Sequence, residues 1–154
     1  MAVKLESTLV GVAEEYLVAG ELSLRGYIAS ITLRNSRGID IIASSADGDN
    51  SVSVQVKTNS DGGSTWMLNS KAEHYCSDNH YYVFVSLNDL GKRPNFHIVP
   101  SEYVAQYVRE SHASWLAGKK KDGTSRKDTN MRKFKDHTNE FLEAWHHINL
   151  KDRF

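Results

Sequence analysis

The chain has 154 residues, with 19 Lys and Arg against 19 Asp and Glu, and 40% of it is hydrophobic; this excludes a disordered or fibrous protein and predicts one soluble domain with its own core. The single Cys76 has no disulfide partner in the chain, and no apolar run approaches the ~20 residues of a membrane span or follows a signal-peptide pattern, so a reducing, cytoplasmic setting and no membrane partner are expected. Zero net charge removes any global attraction to a polyanion, which would have to be held by a local concentration of charge.

Ser7 or Thr8 is placed to cap a helix reaching Arg25, with Leu9, Ala13, Tyr16, Leu17, Gly20 and Leu24 as its apolar stripe and Gly26 ending it. Tyr27 to Leu33 alternates as a strand does, and the stretch from Asn35 to Gly38 breaks it. Ile39 to Ala43 and Val52 to Lys57 form a hairpin around Ser44 to Ser51. Asn59 to Thr65 reads as a loop, and the region from Lys71 to Cys76 as a short helix. Tyr81 to Leu87 has the continuous apolar character of a buried central strand, and Phe96 to Val99 is a further strand stopped by Pro100. A helix follows from Ser101, with Tyr103, Val104, Tyr107, Val108, Ser111 and Trp115 on one broad face. Residues 118–135 read as a basic loop and 136–154 as a C-terminal helix striped by Phe141, Leu142 and Trp145. The fold expected over residues 1–154 is a single-domain α/β sandwich, a mixed sheet of about five strands flanked by helices.

The chemistry concentrates where Ile39-Asp40-Ile41 meets Val54-Gln55-Val56-Lys57-Thr58. A period of two sends Val52, Val54 and Val56 to one face and Ser53, Gln55 and Lys57 to the other, so an amide oxygen and an ammonium stand side by side. Asp40, flanked by two core isoleucines, takes the non-core side, and the hairpin can set it against Gln55. A carboxylate, an amide oxygen and a backbone carbonyl make an oxygen site suited to Mg²⁺ or Mn²⁺, while Lys57 supplies a charge for phosphate. The combination suits metal-assisted phosphodiester hydrolysis.

The string Gly11-Val-Ala-Glu-Glu15, then Arg25-Gly26-Tyr27, then Gly38-Ile-Asp40-Ile, then Gln55-Val-Lys57-Thr58 resembles the PD-(D/E)XK nuclease superfamily of restriction-endonuclease-like folds. The match covers residues 11–58 in helix, strand, strand, strand order. It implies that Asp40 is the principal metal ligand, that Gln55 lends a second oxygen, that Lys57 is the catalytic lysine, and that Glu15 faces the ion through water. Gln55 stands where an acidic residue is commoner in the superfamily; the Mrr-type and related repair-type branches, which the sequence resembles, use Gln there, so a neutral ligand replaces a charged one. The implied activity is an endonuclease acting on nucleic acid, with DNA the expected substrate and a homodimer favoured if both strands of a duplex are cut. The rival expectation is a catalytically inactive nucleic-acid-binding or interaction module of the same fold. Each residue also has a plain structural reading: Glu15 beside Glu14 as a solvated helix face, and Asp40 with Lys57 as a cross-strand pair contributing about 0.2–1 kcal/mol.

A second signal is the run Lys119, Lys120, Lys121, Arg126, Lys127, Arg132, Lys133 and Lys135, opposed only by Asp122 and Asp128. With Trp115, Met131 and Phe134 nearby, it reads as a phosphate-tracking surface or as a solvated loop. His74, Cys76 and His80 match no zinc spacing, and no nucleophile elbow, Walker loop or dinucleotide fingerprint is present.

Overall fold

The computed structural model describes residues 5–33 and 37–150. It opens on a helix, α1 (Ser7–Leu24), which ends as the chain reverses through Gly26 at φ 89°. The N-cap position is Glu6 and carries no side-chain cap, so neither Ser7 nor Thr8 plays that part. Six strands follow: β1 (Ile28–Ile31), β2 (Ile41–Ser44), β3 (Ser51–Asn59), β4 (Thr65–Asn69), β5 (His80–Ser86) and β6 (Asn95–Pro100). A second helix, α2 (Ser101–Ala117), and a last strand, β7 (Met131–Lys135), complete the regular elements, with short 3₁₀ turns at Ser70–Glu73 and Trp145–His147. Part of the break expected between Asn35 and Gly38 lies outside the described residues.

One mixed sheet runs β1-β2-β3-β5-β6, antiparallel except where β3 pairs parallel with β5, and β4 pairs with β7 in a separate two-stranded ribbon. The molecule is therefore a single α/β domain with a mixed central sheet, in the helix, strand, strand, strand order that the sequence predicts. Period-two alternation splits the core into two layers. On one side Val18 and Leu22 of α1 pack against Ile41, Ala43, Val52, Val54, Val83, Val85 and Ile98. On the other, Val104 and Val108 of α2 pack with Trp66, Tyr82, Phe84, Val99 and Phe134, so the two helices flank the sheet. Among the described residues no helix is long and apolar enough to cross a membrane.

Three further expectations fail. The apolar stripe chosen for α1 is on the wrong side: the helix buries Val10, Glu14, Val18 and Leu22, and leaves Leu9, Tyr16, Leu17 and Leu24 exposed. Both stripes satisfy helical spacing, and only packing on the sheet distinguishes them. The basic segment 118–135 is not all loop, since Lys119 bridges Ser125 around a tight turn and Met131–Lys135 is a strand whose partner lies some sixty residues earlier. Among the described residues of 136–154 there is no α-helix. Instead the chain runs beside the outer edge of β6: the Ile98 N–H donates to the Phe141 carbonyl at 3.0 Å and the Glu143 N–H to the Phe96 carbonyl at 2.7 Å. Covering an open sheet edge outweighs weak helical periodicity, and Asn139 and Glu143 take positive φ to do it. Asp136 sets the entry, accepting hydrogen bonds from the Glu140 and Phe141 N–H groups and pairing with buried His97 at 2.7 Å.

Candidate active site at the fork between β2 and β3

β2 and β3 part just before Ile41, and Asp40 sits in the fork. Its N–H donates to the Val54 carbonyl at 2.9 Å, and its own carbonyl accepts the Thr32 N–H at 2.9 Å. Its carboxylate then takes the place a strand carbonyl would have held: the Val56 N–H donates to Oδ2 at 2.7 Å. Oδ1 has no hydrogen-bond donor among the described residues. Burial pushes the Asp40 pKa up, opposed by the Val56 N–H and the nearby Lys57 charge.

The β2–β3 register, Ile41 opposite Val54, carries Asp40 toward Gln55. The Gln55 carboxamide packs over Gly38, where a Cβ would lie 3.5 Å from both Oε1 and Nε2, and the glycine has φ +73°. Lys57 is two residues on along the same face, where it neighbours Phe84 on β5. Asp40, Gln55 and Lys57 are thus brought to one fork, half-buried.

Glu15 is half-buried on α1, and its neighbour Glu14 is a residue the sequence did not single out. Only 1% of Glu14 is exposed, its Oε2 has no hydrogen-bond partner among the described residues, and burial pushes its pKa up to about 7. The sequence signal was available: Val10, Glu14, Val18 and Leu22 recur every four residues, a stripe with a carboxylate in it. After the reversal at Gly26, α1 runs back along β1. Ten residues of helix from Leu24 to Glu14 span about 15 Å, close to the ~13 Å of strand from Ile28 to Thr32. Thr32 is bonded to Asp40, which places the fork just past the end of β1.

The basic residues divide. Lys119, Lys120, Lys121, Lys127, Lys133 and Lys135 are exposed, whereas Arg126 folds back onto Trp115, donating to its carbonyl at 2.6 Å with the guanidinium 5.1 Å from the ring centre. Arg132 is not a surface cation: it is buried, paired with Glu73, and donates to the Thr129 carbonyl at 2.6 Å. Phe134 is likewise withdrawn, stacked on Phe84 at 4.6 Å in the core. Between α2 and β7 lies a cleft of about 470 Å³ lined by Tyr107, Trp115, Met131, Lys133, Lys135 and Thr65, among others. Thr65, at one end of the cleft, accepts a hydrogen bond at 2.7 Å from Asn59, which lies two residues beyond Lys57 on β3.

Among the described residues no three His, Cys, Asp or Glu side chains converge as a metal cluster. His80 in particular is buried against Ser53, its Nδ1 2.7 Å from the Ser53 hydroxyl. Burial pushes its pKa down to about 4.

No protein-family model matches the sequence, and no curated protein does. Among solved structures the chain is similar to Hjc of Archaeoglobus fulgidus, a Holliday junction resolvase from an archaeal hyperthermophile. The two are 12% identical, with a TM-score of 0.47 over 82% of this chain and 84% of that one.

Proposed function

We propose that the protein is a metal-dependent nuclease that hydrolyses phosphodiester bonds of nucleic acid, with DNA as its substrate. The observation that carries this reading is the fork itself: one carboxylate oxygen with no donor among the described residues, a glutamine at the position opposite it whose carboxamide packs over Gly38, and an ammonium one strand repeat away. The donors are all hard oxygens and include a single carboxylate. That fits Mg²⁺ or Mn²⁺, which keep several waters and are bound through one or two carboxylates plus substrate phosphate. Asp40 and Gln55 would hold the ion, which supplies Lewis acidity toward the scissile phosphate.

The chain's own groups do the rest. The Val56 N–H and the two main-chain bonds of Asp40 lock its carboxylate in place, so no ordering is left to be done when substrate arrives. Lys57 places a positive charge where negative charge accumulates on the phosphoryl oxygens and orients the attacking water. Glu15 takes an outer position, acting through water. The exposed lysines and the cleft beside Trp115 and Met131 give the nucleic-acid backbone phosphate contacts and an apolar platform.

The specific observation favouring the inactive binding module is Gln55, which leaves Asp40 as the one carboxylate of the proposed ligand pair. The deciding experiment is a nuclease assay on plasmid, single-stranded and branched DNA, with RNA alongside, with and without Mg²⁺ or Mn²⁺. Metal-dependent cleavage lost in Asp40→Asn supports the enzyme; binding without cleavage under every condition supports the module.

A further inference from the structure

Among the described residues nothing covers the stripe Leu9, Ala13, Tyr16, Leu17, Gly20 and Leu24. Leu9 is 62% exposed, Tyr16 67%, Leu17 44% and Leu24 84%. At 3.6 residues per turn the six positions fall in a sector roughly 100° wide, the width of a helix face built to be buried. No charged residue of Ser7–Leu24 lies inside that sector. Glu21, at its border, is already engaged by Arg25 at 2.7 Å and Arg93 at 3.0 Å.

We propose that this face packs against the same face of a second copy of the chain, the two α1 helices antiparallel about a two-fold axis between Tyr16 and Leu17. The stripe reads the same from either end. Run antiparallel, Leu9 meets Leu24 of the other copy, Ala13 meets Gly20, and Tyr16 meets Leu17, so large faces large and small faces small at every level. A different partner would impose no such symmetry, whereas an isologous dimer requires a self-complementary patch. Gly20 fits this register. Glycine weakens a helix interior, and a Cβ built on Gly20 meets nothing within 4 Å in its own chain. Its role is supplied by the close approach of a second helix at the small-on-small level. The four large side chains expose on the order of 500 Å² of apolar surface, near the upper end for a monomer. Doubled by the two-fold, this reaches about 1,000 Å², the lower bound for a specific interface.

The test is oligomeric state and register together, on the full chain. Analytical ultracentrifugation between 1 and 100 µM should show a monomer–dimer equilibrium. Tyr16→Glu, which sets two like charges beside the axis, should raise the dissociation constant more than tenfold while leaving the circular dichroism spectrum unchanged. In a Cys76→Ser background, Ala13→Cys chains mixed with Gly20→Cys chains should form a mixed disulfide dimer on mild oxidation, and neither variant alone should, because like positions lie about 10 Å apart along the axis. A monomer at 100 µM overturns the proposal, as does a dimer that is indifferent to Tyr16→Glu or that cross-links equally through Ala13→Cys alone.

Discussion

Asp40 and Val56 are joined across the fork by a 2.7 Å hydrogen bond from the Val56 N–H to the Asp40 carboxylate. One oxygen of the side chain thereby does the work of a strand carbonyl, and the other stays available. The fold consequently needs an acceptor at this position, and the proposed chemistry needs a charge.

These two requirements separate under mutation. Asp40→Asn keeps a carbonyl oxygen for the Val56 N–H, so its thermal midpoint should stay within a few degrees of wild type while metal-dependent cleavage disappears. Asp40→Ala leaves that donor unmet and should lose about 1–3 kcal/mol as well. Calorimetric unfolding of both variants beside a cleavage assay checks the division, and an active Asp40→Asn would remove Asp40 from the metal site.

Gln55 and Lys57 should fail differently. Lys57→Ala is expected to abolish cleavage and retain ion binding, because its ammonium is assigned to phosphate and water. Gln55→Glu puts a second carboxylate beside Asp40 and should tighten Mg²⁺ or Mn²⁺ binding in the absence of nucleic acid. Isothermal titration of both variants is decisive: no binding by wild type or Gln55→Glu at millimolar metal, with or without DNA, would leave the binding module as the surviving reading.

Glu14 predicts a pH dependence of stability. Burial holds its carboxyl near pKa 7 in the fold, against an ordinary value of 4.5. A raised carboxylate pKa means the native state holds the proton more tightly than the unfolded chain. That contribution is fully present below about pH 4.5 and is lost as the pH rises through about 7. Glu14→Gln should flatten the slope between those values and stabilise the protein at pH 8 by up to about 3 kcal/mol. Urea titrations at pH 5 and pH 8 read it out; a wild-type slope in the variant would place the titrating group elsewhere.

The basic residues should sort by burial. Replacing Lys119, Lys120 and Lys121 together with Ala should leave the melting temperature unchanged. It should also make the log-log salt dependence of DNA binding shallower by about 0.9 for each phosphate no longer neutralised. Arg132→Ala strands Glu73 beside the core and should cost about 3 kcal/mol of stability. Fluorescence anisotropy across a salt series, with thermal melts, distinguishes the two outcomes.

Much of this was legible in the sequence because it depends on neighbours along the chain. The reversal at Gly26, the hairpin from Ile41 to Asn59, the buried run of β5 and the helix after Pro100 are local propensities that the fold does not oppose. The shared face of Gln55 and Lys57 follows from the two-residue period of any strand. What lay beyond the sequence is pairing between distant segments. Thr65–Asn69 and Met131–Lys135 become strands only because each completes the other, and the segment after Asp136 gives up helical periodicity to cover the edge of β6. The α1 helix is the sharpest case. Leu9, Leu17 and Leu24 satisfy the helical period as well as Val10, Val18 and Leu22 do, so the helix was determined locally. Which stripe entered the core, carrying Glu14 with it, was decided by how each packs against the sheet, a contact between segments distant along the chain.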